Sequence, residues 1–545
     1  MLDADLHKFN IYRSTASPAT TLIDSVLATA VPDTFYLDTN VNSNQFYFYR
    51  ITAVSNAGIE GAFSNEVKVI PRIATYVDAV HGDDVSGDGS AASPWKTLSI
   101  ALNSSIGGVF SHTIHVAAGT YNTGLGEVFP LVLKDRVSLM GAGADVSIID
   151  AGGTNRVINC IGILDAAVVI ERFTFRNGGG VTQGAGFFIS GGSLLTIKNN
   201  KITSNQAEYG AGGGFYISAS SPRIIGNQIV GNSAYNGGGL YLTSNSSGEI
   251  RDNTISNYTG TTSTGYMPNI YVTNSSPVIQ GNVIYPDPST IYNGGYGIYV
   301  SGGPSVVRIV NNVIYGHSYT GIYTVSSSHV RIINNTISDN DGDGIFISGA
   351  SPDSIVNNII TFNGGYGIKE NSTSSDAAMV SYNLFFGNTN GHFRDENTMD
   401  YLTAAALDAA VPECENNIDG DPLFLDRLNG NYHADLCSPA VDAGDPNSPF
   451  TNEPAPNGGR INIGAYGNTA EASITDRSSC GAVLPASLYV SAASGSNLSG
   501  DGTPANPWQT ITYALSQIVD DTSHTIHVAA GTYNTGLGEV FPLVL

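Results

Sequence analysis

Charge is scarce in this sequence, and positive charge scarcest. Asp, Glu, Lys and Arg make up 12% of the 545 residues, and acids outnumber bases 46 to 22, for a formal net charge of −24. A nucleic-acid binder needs clustered Lys and Arg for phosphate contacts, and a protein that docks on anionic lipid needs the same. Neither is expected here. No apolar run approaches the roughly 18–20 residues of a membrane span, so membrane insertion is not expected either. Cysteine is rare: Cys160, Cys414, Cys437 and Cys480 are too few for a disulfide scaffold and lack metal-site spacing. Cys414 and Cys437 flank one loop-rich segment and form a candidate pair. The opening Met1-Leu-Asp-Ala-Asp is polar and carries no signal peptide. Apolar residues still reach 41%, enough to bury a large core and to argue against disorder.

Glycine and asparagine are abundant instead, at 64 and 49 residues. The chain also repeats itself. Residues 111–133, SHTIHVAAGTYNTGLGEVFPLVL, recur unchanged at 523–545. Upstream the echo loosens: Tyr76-Val77 matches Tyr489-Val490, SGDGSAASPWKTL (86–98) matches SGDGTPANPWQTI (499–511), and Trp95 matches Trp508. One large module therefore runs from about residue 74 to about 480, and a second copy begins near 488. The second copy stops a few strands in, which reads as a fragment of a longer tandem array or a truncated gene model. A secretion signal would then lie elsewhere in the full protein.

The first 72 residues differ in kind. In QFYFYRITAVSNAGIEGAFSNEVKVIP (45–71), Tyr47, Tyr49, Ile51 and Ala53 share one strand face. Asn56-Ala57-Gly58 turns, a second strand begins in Ser64–Val69, and Phe9–Arg13 is a further short strand. Short strands between turn signals indicate a β-sandwich. The stretch over 35–71 resembles the later strands of a fibronectin type III domain, without the core Trp that such domains usually carry. The resemblance implies a spacer or adhesion module.

From about residue 110 to 400 an Asn-x-apolar motif recurs, at Asn200, Asn227, Asn253, Asn282, Asn312, Asn335, Asn358 and Asn383. Each repeat also carries a Gly-apolar-x-apolar strand: GFFI (186–189), GFYI (214–217), GLYL (239–242), GIYV (297–300), GIYT (321–324) and GIFI (344–347). Period-2 alternation excludes helix. Such short strands cannot bury a face alone, but stacked coils can. The pattern resembles the right-handed parallel β-helix of pectate-lyase-like proteins secreted by bacteria. There, turn asparagines stack into ladders, and Asn tolerates left-handed backbone. Asn312, Asn335 and Asn358 keep the strict 23-residue spacing that a ladder requires. The preceding segment resembles the domain of unknown function 1565 through Gly82-Asp83, Asp88-Gly89, Pro94-Trp95-Lys96-Thr97, AAGTY (117–121) and GEVFPL (126–131). A short helix after Trp95 is expected to cap the solenoid and hide its sheet edge. DPLFLDRLNGNYHADLCSPAVDAGDP (421–446) and GGRINIGAYG (458–467) resemble the closing segment of such proteins. Its acids Asp421, Asp426, Asp442 and Asp445 read as turn chemistry, with calcium as the alternative.

The expected fold is thus all-β, a right-handed parallel β-helix solenoid preceded by a fibronectin type III-like β-sandwich. Its parts are the partial sandwich (1–72), the capping segment and first coils (73–140), the main solenoid (141–400), the closing segment (401–480) and the truncated second copy (488–545).

Alternation along the Gly-apolar strands assigns two faces. Phe187, Phe215, Leu240, Ile270, Ile298, Ile322 and Ile345 point to the core. Phe188, Tyr216, Tyr241, Tyr271, Tyr299, Tyr323 and Phe346 point out, and Lys369 follows in the next coil. At one coil per 4.8 Å the aromatic row is about 29 Å long. It reads as a platform of flat ring faces and phenol hydroxyls for sugars. Stacking for its own sake, worth roughly 0.2–1 kcal/mol per pair, is the structural reading of the same row.

Asp339, Asp341 and Asp343 are the main concentration of ionisable groups in the solenoid, with Asn340 expected over His317 and Asp343 below Tyr366. The three acids are candidates for calcium binding and, together with His317, for catalysis, and a solvated turn is the plainer reading. Polygalacturonase signatures are not matched: Gly316-His317 is followed by Ser318, and the solenoid has no Asp-Asp pair. Arg308 and Arg331 share a register away from Asp341. His112, His115 and His433 fall in capping segments. The leading functional expectation is an extracellular or cell-surface module that binds polysaccharide or surface glycan, or mediates adhesion. A polysaccharide lyase or glycoside hydrolase and a structural spacer are the alternatives.

Overall fold

A computed structural model describes residues 6–27, 38, 45–69, 73–105, 111–259, 268–287, 295–303, 305–326, 329–349, 354–373, 375–396, 398–475, 487–497, 500, 502–517, 525–539 and 543. The chain divides into two compact units, Met1–Thr475 and Asp476–Leu545.

In the first unit, Leu6–Ser14, Thr21–Leu27, Tyr47–Ser55 and Val67–Val69 form one antiparallel sheet, with the first strand between the second and third. Thr52 and Val54 turn inward while Ile51 and Ala53, on the opposite face, are exposed. The second sheet of the expected sandwich does not occur among the described residues. Residues 28–37 and 39–44 of the fibronectin-like segment lie outside them.

The remainder of this unit is a coil of parallel strands with three faces. Among the described residues, face A has 13 strands, from Ile73–Val77 to Cys414–Glu415. Face B has 14, from Gly119–Asn122 to Ile418–Asp419. Face C has 12, from Leu131–Leu133 to Met399–Tyr401. Each coil visits A, B and C in turn, and nearly every strand pairs in parallel with its counterpart one coil on; the final pair of face C is antiparallel. Alternate side chains point inward, and those predicted for face C, from Phe187 to Ile345, are fully buried. They join one core running from Val77 to Cys414.

Asparagines hold the A–B corner. Nδ2 of Asn312 donates to Oδ1 of Asn335 (3.0 Å), and Asn335 to Asn358 (3.0 Å), within a ladder that runs from Asn200 to Asn417. The left-handed backbone belongs to the residue before each ladder Asn, such as Asn311 (φ 55°), Asn334 (52°) and Asn357 (59°), and not to the ladder Asn itself as expected. The ladder side chain must point into the coil, so the bend falls one residue earlier. A second ladder at the B–C corner, unseen in the sequence, joins Asn205, Asn232, Asn257, Asn269, His317, Asn340, Asn363 and Asn388.

Both ends of the coil are covered by short helices. Helix α1 (Leu98–Ser104) is capped by Thr97 and buries Leu98, Ala101 and Leu102. The buried Glu127 carboxylate accepts from the backbone N–H groups of Leu98 (2.6 Å) and Ser99 (2.9 Å) at its start. Helix α2 (Ala404–Ala410) buries Ala404 and Leu407 at the far end. The closing segment then runs back along the wall. Asn311 donates to the carbonyls of Ala465 and Gly467, and Asn334 to those of Asn462 and Gly464. Cys414 is a buried free thiol inside the capped end, so the expected pair with Cys437 does not form. Cys437 is disulfide-bonded elsewhere, and Cys480 lies outside the described residues.

The second unit repeats the start module. Ser487–Val490 and Thr525–Val528 pair in parallel, helix α3 spans Ile511–Gln517, and Glu539 receives the N–H groups of Ile511 (2.6 Å) and Thr512 (2.9 Å). Gly89 (φ +77°) and Gly502 (φ +73°) lie under Trp95 and Trp508, where a Cβ would strike the indole. This explains the shared glycine of the two copies.

Candidate functional site

The aromatic row forms as its spacing predicts. On face C, Phe188, Tyr216, Tyr241, Tyr271, Tyr299, Tyr323 and Phe346 are consecutive parallel partners, followed by Lys369. All seven are partly exposed. The Phe188, Tyr216, Tyr241, Tyr271 and Tyr299 rings follow at centroid steps of 5.4, 5.4, 5.2 and 4.6 Å, with planes 4–29° apart. Faces therefore meet faces along the solenoid axis, and the row shows solvent ring edges and hydroxyls. A continuous platform of flat faces, as the sequence implied, is not what the stack offers. Burial pushes the phenols of Tyr216, Tyr241 and Tyr271 above their ordinary range, so they remain neutral donors.

The stack breaks once. Tyr299 and Tyr323 meet edge to face at 80° (5.0 Å). Tyr296 stacks on Tyr323 at 5.0 Å, and the half-exposed Tyr319 lies 5.7 Å from Tyr296. These four rings form a cluster off the single file. The sequence reading missed Tyr296 and Tyr319. The signal for Tyr296 was its place just before a Gly-apolar strand, where the following coils carry Thr320 and Asp343. Cations close both ends of the row. The Arg156 guanidinium lies 4.5 Å from the Phe188 ring centre and the Lys369 ammonium 4.9 Å from that of Phe346.

The three aspartates of the Asp339–Asp343 turn do not converge. Asp339 receives Arg427 (2.6 Å) and the Tyr432 hydroxyl (2.9 Å) from the closing segment. Asp343 receives the Tyr366 N–H (2.7 Å), and burial raises its carboxyl. Asp341 is exposed. Among the described residues no group of three His, Cys, Asp or Glu is placed to hold a metal.

His317 is 1% exposed and substitutes for Asn in the B–C ladder. Its Nδ1 faces the amide oxygen of Asn340 (3.0 Å), so Nδ1 carries the proton and Nε2 accepts from the Asn269 amide (3.1 Å). Burial pulls its pKa down to about 4. Such a residue is a corner element out of reach of ligand. Arg308 and Arg331 pair in register on exposed positions of face A. His112 bonds Thr75 (2.9 Å) and His115 stacks on Tyr76 (5.1 Å) on the first strands of face A, and His433 stacks on Tyr466 (3.6 Å) in the closing segment.

Among solved structures, the A-module of the mannuronan C-5 epimerase AlgE6 from Azotobacter vinelandii is similar at 14% identity, with a TM-score of 0.39 over 59% of this chain and 93% of that one. Pectin methylesterase from carrot is similar at 16% identity and a TM-score of 0.30, over 58% and 82%. A family 28 exopolygalacturonase from Yersinia enterocolitica is similar at 12% identity and a TM-score of 0.23, over 73% and 78%. None of these likenesses brings a substrate to this chain. Among curated proteins none matches it. The model of the right handed beta helix region matches residues 266–400. That of the protein of unknown function DUF1565 matches residues 80–330 and 493–545, and so takes in both copies of the start module. With more than half of its length matched, the chain belongs to the DUF1565 family, here built as a right-handed parallel β-helix.

Proposed function

We propose that the solenoid is an extracellular or cell-surface module that binds polysaccharide along face C. The observation that carries this reading is the seven-residue aromatic row. It places an amphipathic ring edge on each coil, about 4.8 Å apart, a step comparable with one sugar unit of an extended glycan. A periodic polymer thus meets a periodic row of neutral phenol donors. At the break between Tyr299 and Tyr323, the exposed Tyr319 adds ring surface that the stacked part lacks.

The face-to-face stacking favours a second reading, a spacer whose rings stiffen one wall. The triple variant Tyr241→Ser, Tyr271→Ser, Tyr299→Ser separates the two. Under the binding reading, retention on a glycan array falls to background while the solenoid still melts cooperatively. Retention equal to that of the unaltered chain defeats it. A variant that only melts earlier, from a parent that retains no glycan, leaves the spacer.

A further inference from the structure

Beside the first ring of the row, the wall opens into a groove of about 440 Å³. Its origin lies in chain length per coil. At the B–C corner, Val181–Gln183 pairs in parallel with Gln206–Ala211, which pairs with the long strand Gln228–Asn236. These extensions form a fin over a small core of Ala185, Ala207 and Ala234. The coil before them has no extension and turns instead at Gly152 and Gly153, both at positive φ. Val181–Gln183 is therefore the edge of the fin, with Arg156 of the shorter coil in the groove.

Arg156 is held there with spare capacity. Its Nη1 donates to Asn159 Oδ1 (3.1 Å), its Nη2 to the Gln183 carbonyl (2.8 Å), and its plane is backed by Phe188. Its buried Nε has no hydrogen-bond partner. Two of five guanidinium N–H groups are thus engaged, and no carboxylate pairs with it among the described residues. A half-buried cation fixed by neutral partners, in a chain where acids outnumber bases 46 to 22, is set up for an anion from outside. The rest of the groove suits hydroxyl-rich matter. Thr182 and Gln183 line it, and the Glu208 carboxylate accepts hydroxyl hydrogens. Tyr209 stands 86% exposed at the rim, on a backbone at φ 51°. The Tyr209 ring thus offers an amphipathic face at the rim of the groove that holds the Arg156 cation.

We propose that this groove is a binding subsite for an acidic saccharide unit, its carboxylate or sulfate on Arg156, its hydroxyls on Glu208 and its ring against Tyr209. The proposal rests on the glycan reading of face C and adds the class of glycan.

The test is calorimetric titration of the full chain with an oligouronate, a sulfated oligosaccharide and a neutral oligoglucan of equal length. Either acidic ligand should bind at least about tenfold more tightly than the neutral one, the effect of one charge-assisted contact. Which of the two does so identifies the anion. Arg156→Gln should abolish the preference. Tyr209→Ser, at a position too exposed to unfold the chain, should weaken the acidic ligand several-fold. The aromatic-row variant Tyr241→Ser, Tyr271→Ser, Tyr299→Ser should weaken all three ligands, and the acidic binding that remains should still need Arg156. Equal affinity for all three ligands, or a preference that survives Arg156→Gln, overturns the groove while leaving the face C reading intact. Acidic binding that needs Arg156 but is undiminished in the aromatic-row variant supports the groove and overturns face C. No binding to any ligand overturns both.

Discussion

Two buried side chains set opposite demands on pH. His317 is neutral in its ladder, with a pKa pulled down to about 4 by burial. The unfolded chain takes up this proton near pH 6.5, so His317 contributes fully above that value and loses its contribution as pH falls toward 4. Glu370 is 0% exposed, with Oε1 accepting from Ala377 (3.0 Å) and Oε2 lacking a partner. Burial first, then the nearby Asp376, Asp395 and Glu413, raise its pKa to about 8. It favours the fold below about pH 4.5 and becomes a liability as pH rises through 8. The shifts correspond to roughly 3 kcal/mol for His317 and roughly 5 kcal/mol for Glu370. Thermal midpoints measured from pH 4 to 8 should fall toward both ends. His317→Asn, which restores the ladder residue, should flatten the acid side. Glu370→Gln should raise the midpoint at pH 7–8. Unchanged profiles in both variants would show that neither group titrates as its surroundings require.

At the scale of the coil, the corners carry the specificity of the fold. Oδ1 of Asn335 accepts from the Asn312 backbone N–H and side-chain amide, while its Nδ2 donates to the carbonyls of Ile309 and Ile333. Asn335→Ala strands these groups in a dry interior, at about 2–3 kcal/mol. Urea unfolding should show that loss, and a loss below about 0.5 kcal/mol would mean that water has replaced the amide. This ladder was legible because constant coil length prints it as a 23-residue period at Asn312, Asn335 and Asn358. The second ladder was not legible. Its spacing runs from 12 residues (Asn257 to Asn269, two rungs from one coil) to 48 (Asn269 to His317), and a histidine fills one rung. The aromatic row was legible for the reason that made its use misleading. Alternation says which residues point outward, whereas ring orientation depends on the 4.8 Å strand spacing, which presses neighbouring faces together. The role of Asp339 was hidden because its partners Arg427 and Tyr432 come from a segment 88 and 93 residues away.

For the whole molecule, the net charge of −24 and the single groove cation act over different distances. Charge spread over the surface repels an acidic glycan at long range, and salt screens that repulsion over a Debye length of about 10 Å at 0.1 M. Arg156 acts at contact, half out of water, where screening is weak. Association of an oligouronate should therefore quicken as NaCl rises from 0.01 to 0.15 M, while dissociation changes little. A basic lectin-like surface would show the reverse, with association slowing in salt. Stopped-flow kinetics at the two ionic strengths read the sign directly. Slower association at 0.15 M would place the attracting charge on an open basic patch, and would remove Arg156 from the role the groove gives it.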